Sequence, residues 1–241
     1  MIAGGADVSA VAAATSRAAE SSLAAYADDP VVRRAFYLLS KIPLAARQPD
    51  FQAALGRLGL QVERADLTHV AAALMEDLDN RSFAKRSDLG EMAASCAVES
   101  LQAVARRELD DLFGSDVGSV QRSQEVLAGL ATVKEFGVLA QDFFARLLHR
   151  HLSYYLSREL PRHVGIGSRF PSMREHDDFD RALEVHCREV ARSVYRFAGE
   201  WHSKNDFVGG ITEKKAGGFV FEALTHKLKS ELEARREANH A

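Results

Sequence analysis

The residues of this chain best suited to act on a phosphate are arginine and histidine, and they concentrate in its second half. Eight of the nine histidines follow residue 130, where 18 Lys and Arg stand against 16 Asp and Glu. Residues 1–130 hold 13 Lys and Arg against 18 Asp and Glu. Arginine offers a planar fork of donors to anionic oxygens, and histidine exchanges protons near neutral pH. A catalytic or polyanion-binding face is therefore expected in the second half.

Four arginines share one side of a predicted helix that reaches about Trp201, in a sector about 40° wide at 100° per residue. They are Arg174, Arg181, Arg188 and Arg192. With Arg150 on the preceding helix, this ridge predicts contact with a nucleic-acid backbone. Acid-to-base spacings of four residues on the same helix favour a solvated surface instead. Both interpretations stay open.

A second candidate site is the segment that follows Trp201. It contains His202, Lys204 and Asn205 and ends at two glycines, Gly209 and Gly210. Polar side chains on a loop held between packed helices are often functional, so we expect these three residues to lie on a loop. The alternative is a simple helix–helix connection in which the glycines supply the turn.

The elements that position these residues are predicted to be helices, because apolar residues recur with helical periodicity along most of the chain. Only residues 59–63 show the alternation of apolar and polar residues that is typical of a strand. The prediction is an all-α bundle of about seven to eight helices, with two packed helical subdomains as one arrangement. The clearest break, at residues 114–118, divides an acidic half, residues 1–116, from a basic, histidine-rich half, residues 117–241.

Several helix ends can be predicted from capping residues and breakers. An alanine-rich first helix is expected at about residues 7–26, and the next should stop near Pro43. Gly129 and Gly137 are both sites at which a long helix over residues 119–160 could divide. The predicted N-caps are Asp66, Ser87 or Asp88, and Thr212.

Composition narrows the class of protein. Of 241 residues, 46% are apolar and 27% charged, with a net charge of −3, which is typical of a folded soluble chain. Two cysteines are too few for a disulfide framework, so a reducing cytoplasm is expected. No run approaches the roughly 20 apolar residues of a membrane span. Charged residues interrupt the alanine-rich start, so we expect neither a signal peptide nor membrane contact.

One spacing resembles a known family. Arg-x4-His, at Arg146 and His151, is similar to the motif of HEPN domains, small all-α modules often found as ribonucleases in bacterial defence and toxin systems. The resemblance implies that Arg146 and His151 of two protomers converge on an RNA phosphate and cleave it without a metal. Leu147 departs from the family, which usually has a polar residue directly after the arginine.

The chain has no Walker loop, Rossmann fingerprint, nucleophile elbow or kinase signature, and no cofactor or metal is expected. The principal prediction is therefore a non-enzymatic helical subunit or adaptor of a larger bacterial complex, with other protein subunits as partners and nucleic acid as a second partner class. The arginine-rich helices and the Trp-His-Ser-Lys-Asn run resemble uncharacterised proteins of bacterial phage-defence operons, which implies antiviral defence. The HEPN-like ribonuclease is the alternative, and the oligomeric state stays open.

Overall fold

The computed structural model describes residues 29–84, 87–110, 119–159 and 173–240, and these form an all-α bundle with no strand among them. The prediction of a multi-helix bundle is confirmed. The helices are α1 Pro30–Ala46, α2 Phe51–Arg57, α3 Leu67–Ala84, α4 Asp88–Asp110, α5 Val120–Gly129, α6 Val133–Glu159, α7 Met173–Phe207, α8 Glu213–Glu222 and α9 Lys229–His240. A π-helical segment, Ala223–Leu228, joins α8 to α9 without a break. The predicted first helix and the boundary near residue 116 lie outside the described residues.

The predicted caps are present. Asp66 accepts a hydrogen bond from the backbone N–H of His69 at 3.0 Å, and Thr212 accepts one from Lys215 at 3.2 Å. At the start of α4 the capping residue is Ser87, whose hydroxyl accepts from the N–H of Gly90 at 2.9 Å. Each of these side chains satisfies an N–H group that the first helical turn leaves unpaired.

Helix α1 lies at the centre of the bundle and does not stop at Pro43. It continues to Ala46, so the predicted end is wrong. A proline in the last turn removes one backbone hydrogen bond. Burial of Pro43, Ala45 and Ala46 offsets that loss, because these residues pack into the core.

The ring of Phe36, on α1, is the hub of an aromatic cluster. It stacks on Phe219 of α8 with 4.9 Å between centroids, and it contacts Phe144 of α6 at 5.5 Å and Trp201 of α7 at 5.7 Å. One hydrophobic core therefore includes residues from both halves of the chain.

The two candidate breaks in residues 119–160 behave differently. Helix α5 ends at Gly129 and α6 begins at Val133, so residues 119–159 form two helices and the division lies after Gly129. Gly137 stays inside α6, and a Cβ atom there would lie 2.7 Å from the carbonyl oxygen of Tyr195 on α7. On α7, a Cβ atom at Gly199 would overlap the carbonyl oxygen of Val133. The two helices thus approach backbone to backbone.

A buried ion-pair network ties α1 to α3 and α8. Arg34, only 8% exposed, donates to both carboxylate oxygens of Asp77 at 2.8 and 2.7 Å. Its Nη1 atom donates to Glu213 at 3.0 Å, and Nη2, which also donates to Asp77, reaches the carbonyl oxygen of Leu58 at 2.6 Å. Burial opposes the charged form of Arg34, but these partners outweigh it and keep the pKa above its usual value.

No helix in the described part of the chain combines the length and apolarity needed to cross a bilayer.

Candidate functional site

A depression of about 310 Å³ opens between α4, α6 and α7. Its floor is one face of α6, since residues spaced by three or four positions share a face of a helix. That face presents Asp142, Arg146, His149 and Arg150. We call this depression the charged pocket.

The carboxylate of Glu99, from α4, bridges the two arginines of the charged pocket. Arg150 donates to one of its oxygens at 2.6 Å, and Arg146 donates to the other at 3.2 Å. Arg146 also donates through Nε to Asp142 at 2.6 Å. Burial opposes the charge on Arg146, but Asp142 and then Glu99 outweigh it and keep its pKa above the usual value.

The opposite wall belongs to α7. Arg188 donates to Glu184, one turn earlier on the same helix, at 2.6 Å. At the edge, His149 and the hydroxyl of Ser153 both lie 3.1 Å from one carboxylate oxygen of Asp180. The charged pocket thus brings cationic and anionic groups together from three helices.

Beneath the charged pocket, Cys96 lies 3.5 Å from Arg150. Burial raises the pKa of its thiol to about 12, despite the nearby guanidinium. Cys187, on α7, is buried too, and its thiol pKa is likewise raised by burial. Both sulfurs are therefore neutral thiols at neutral pH, whereas a nucleophilic cysteine reacts as a thiolate.

The arginine ridge predicted on α7 is exposed, and three of its members pair with acids of their own helix. Arg181 lies 3.4 Å from Asp178 and Arg192 lies 3.0 Å from Glu189. Arg188 pairs with Glu184 at 2.6 Å, and this is one of the acid-to-base spacings of four residues in the sequence. Exposed pairs of this kind contribute little free energy, so the guanidiniums stay accessible. Arg174 is exposed at the start of the helix.

Arg146 and His151 do not present one common surface. Arg146 lines the charged pocket, whereas His151 has no exposed area and packs edge-on against Tyr155, 5.0 Å between ring centroids. Burial lowers the pKa of His151 to about 4, so the ring is neutral at neutral pH. In this arrangement the histidine of the HEPN-like motif lies in the interior.

The expectation that His202, Lys204 and Asn205 lie on a loop is wrong, because α7 continues to Phe207. His202 is 1% exposed, stacks on Phe136 at 3.9 Å and lies 2.9 Å from the carbonyl oxygen of Ser40. These contacts hold the last turns of α7 against α1 and α6. Asn205 donates to the carbonyl of Trp201 at 2.9 Å, and Lys204 is exposed.

An apolar tip, Phe207 and Val208, lies where α7 ends and its connection to α8 begins. Their exposed fractions are 91% and 58%. Gly209 and Gly210 follow with φ of +72° and +79°, the left-handed conformations that favour glycine. The glycine turn was predicted from the sequence, but the candidate site was predicted at the polar residues before it. An aromatic and a β-branched residue directly before two glycines was the signal for the tip.

Within the described ranges, no group of three or more His, Cys, Asp or Glu side chains is placed to hold a metal ion. Comparison with protein-family models, with curated proteins and with solved structures finds no match for this chain.

Proposed function

We propose that this protein is a non-enzymatic helical subunit or adaptor that binds another protein through the apolar tip. The observation that carries the proposal is the 91% exposure of Phe207 at the end of a 35-residue helix. Aromatic side chains are enriched among the residues that dominate binding energy at protein interfaces. Burying such a ring fully against a partner contributes roughly 1.5–3 kcal/mol.

The tip is held in place, which favours recognition of a preformed surface. Lys215, in the first turn of α8, donates to the carbonyl oxygens of Val208 at 3.2 Å and Gly210 at 2.8 Å. Behind the tip, His202 fixes the last turns of α7 to the core. A preorganised tip loses little conformational entropy on binding.

The states of the reactive side chains support a non-enzymatic role. Cys96, Cys187, His151 and His202 are buried. Burial raises the pKa of both thiols and lowers the pKa of both imidazoles, which leaves all four groups neutral near pH 7. Nucleophiles and general bases need solvent or substrate access and a pKa near the working pH. These four residues instead serve the core.

A quantitative pull-down from the organism of origin, with and without nuclease, tests the proposal. Wild-type protein is compared with Phe207→Asp and with a matched control, Val185→Asp, because Val185 is 60% exposed at the middle of α7. We expect a stoichiometric protein partner that survives nuclease, is retained by the control and is reduced at least about tenfold by Phe207→Asp, which corresponds to about 1.4 kcal/mol.

Equal capture by all three proteins, or loss of every associated protein on nuclease treatment, would contradict the proposal. The second result would mean that nucleic acid bridges the protein to its associated proteins. The arginine ridge would then be the candidate contact with nucleic acid. Circular dichroism of each variant establishes that the helices are intact.

A further inference from the structure

The charged pocket holds an internal anion. Both oxygens of the Glu99 carboxylate accept hydrogen bonds from guanidiniums on successive turns of α6, Arg146 and Arg150. Two guanidiniums sharing one anionic group is also the way in which proteins hold phosphate oxygens. The geometry at Glu99 is therefore that of an occupied anion site, with a side chain of the protein as its occupant.

Glu99 is a replaceable occupant. Its side chain is 41% exposed, so it can rotate into water at little cost, and its half-exposed ion pairs contribute at most about 1 kcal/mol. A phosphoryl group carries more negative charge than a carboxylate and has three terminal oxygens to accept hydrogen bonds. Arg146 keeps its second partner, Asp142, while its Nη1 atom turns to the ligand.

Further donors stand around the same cavity. Arg188 faces it from α7, where its partner Glu184 is a half-exposed residue of the same helix. His149 faces it from α6 and carries a ring nitrogen bonded to Asp180. The volume of about 310 Å³ lies at the lower end of the range for small-molecule sites.

The acids around the charged pocket decide which phosphates fit. Asp142 lies on the floor, Glu184 on the α7 wall and Asp180 at the edge, interleaved with the arginines. They would repel the successive phosphates of a nucleic-acid backbone, whereas one phosphoryl group could sit between the guanidiniums. We propose that the charged pocket binds the phosphoryl group of a small phosphorylated molecule at the position that the Glu99 carboxylate occupies. This site is separate from the apolar tip.

Isothermal titration calorimetry on the full chain tests this inference, with ribose 5-phosphate and inorganic phosphate as probes and ribose as the uncharged control. Glu99→Gln removes the competing negative charge, so we expect this variant to bind both phosphates about tenfold more tightly than wild type. Arg150→Gln removes a charge-assisted donor and should weaken binding about tenfold or more. Arg181→Gln, an exposed arginine outside the charged pocket, should leave affinity unchanged.

The inference is overturned if Glu99→Gln binds phosphate no more tightly than wild type, or if Arg181→Gln weakens binding as much as Arg150→Gln. A parallel titration with a 20-nucleotide single-stranded RNA separates the two sources of phosphate. Tight binding of RNA with none of ribose 5-phosphate also overturns it. A misfolded variant cannot imitate the expected result, because damage to the fold lowers affinity and Glu99→Gln is expected to raise it.

Discussion

Two guanidinium–carboxylate networks in this protein use the same chemistry in opposite surroundings. Arg34 is 8% exposed, and its donors reach two acids and a backbone carbonyl on three other segments. Arg146 and Arg150 are about one-third exposed and share a carboxylate that borders a cavity. The first network is closed around the Arg34 guanidinium and joins helices, with Glu213 and a second cation, Arg81, half-exposed at its edge. The second is open on one side, so its carboxylate can exchange with a ligand.

The difference shows that burial, more than the number of ion pairs, decides what such a network does. In low-dielectric surroundings an arginine cannot leave its partners without exposing an unpaired charge to the core. At a half-exposed position, water replaces a lost partner at little cost. Predictions for Arg34 and Arg150 test this comparison, and one for His151 tests the effect of burial on a neutral side chain.

The largest effect should come from Arg34→Met. This change removes the bidentate partner of Asp77, which is 14% exposed, and leaves it only the longer contact with Arg81 at 3.6 Å. Breaking a buried pair on one side costs roughly 3–5 kcal/mol. Urea denaturation followed by circular dichroism measures the loss, with Arg181→Met as the exposed control. A loss below about 1 kcal/mol would mean that the closed network is no different from a surface pair.

The next effect concerns pH and His151, a polar residue buried on the opposite face of α6 from the charged pocket. Its pKa is about 4 in the folded chain, against about 6.5 for an ordinary histidine, so the unfolded chain binds more protons below pH 6.5. The free energy of unfolding should therefore have its full value above pH 6.5. It should fall by about 3 kcal/mol as the pH decreases to 4.

Urea titrations at several pH values check this slope, and His151→Phe should flatten it. Equal slopes for the two proteins would show that His151 titrates near its ordinary value. A histidine that reached solvent, as the HEPN-like alternative requires, would titrate there.

The smallest effect should come from Arg150→Gln, the counterpart of the first prediction. Its partner Glu99 is 41% exposed and turns to water when the guanidinium is removed, so the free energy of unfolding should change by less than about 1 kcal/mol. The same urea experiment measures it. A loss as large as that of Arg34→Met would mean that the pair between Arg150 and Glu99 stabilises the fold and does not exchange with a ligand.

The sequence was informative wherever a local rule decides the structure. Asp66 and Thr212 cap helices as predicted, because their spacing to the following residues is itself the requirement for the hydrogen bond. Gly129 and Gly137 carried the same local signal, but their tertiary surroundings differ. A Cβ atom at Gly129 would meet nothing within 4 Å, whereas Gly137 lies against the carbonyl of Tyr195, 58 positions away in the sequence.

The misplaced loop likewise depends on contacts that are distant in the sequence. His202 and Asn205 have modest helix propensity and precede a glycine pair, but contacts of His202 with Phe136 and Ser40 extend the helix past them. The charged pocket was beyond prediction for a similar reason. The sequence indicated Arg146 and Arg150, while their shared partner, Glu99, comes from α4, about 50 residues earlier.

The reciprocal glycine contacts between α6 and α7 have a mechanical consequence. Each helix has a notch that receives a carbonyl of the other, at Gly137 and at Gly199. Sliding one helix by a single residue, about 1.5 Å, would drive each carbonyl out of its notch and against a neighbouring side chain. The pair therefore has one axial register. The floor of the charged pocket lies on α6 and the apolar tip lies at the end of α7, so that register sets the distance between the floor and the tip. On α7 itself, Arg188 and Phe207 are about 28 Å apart along the helix axis.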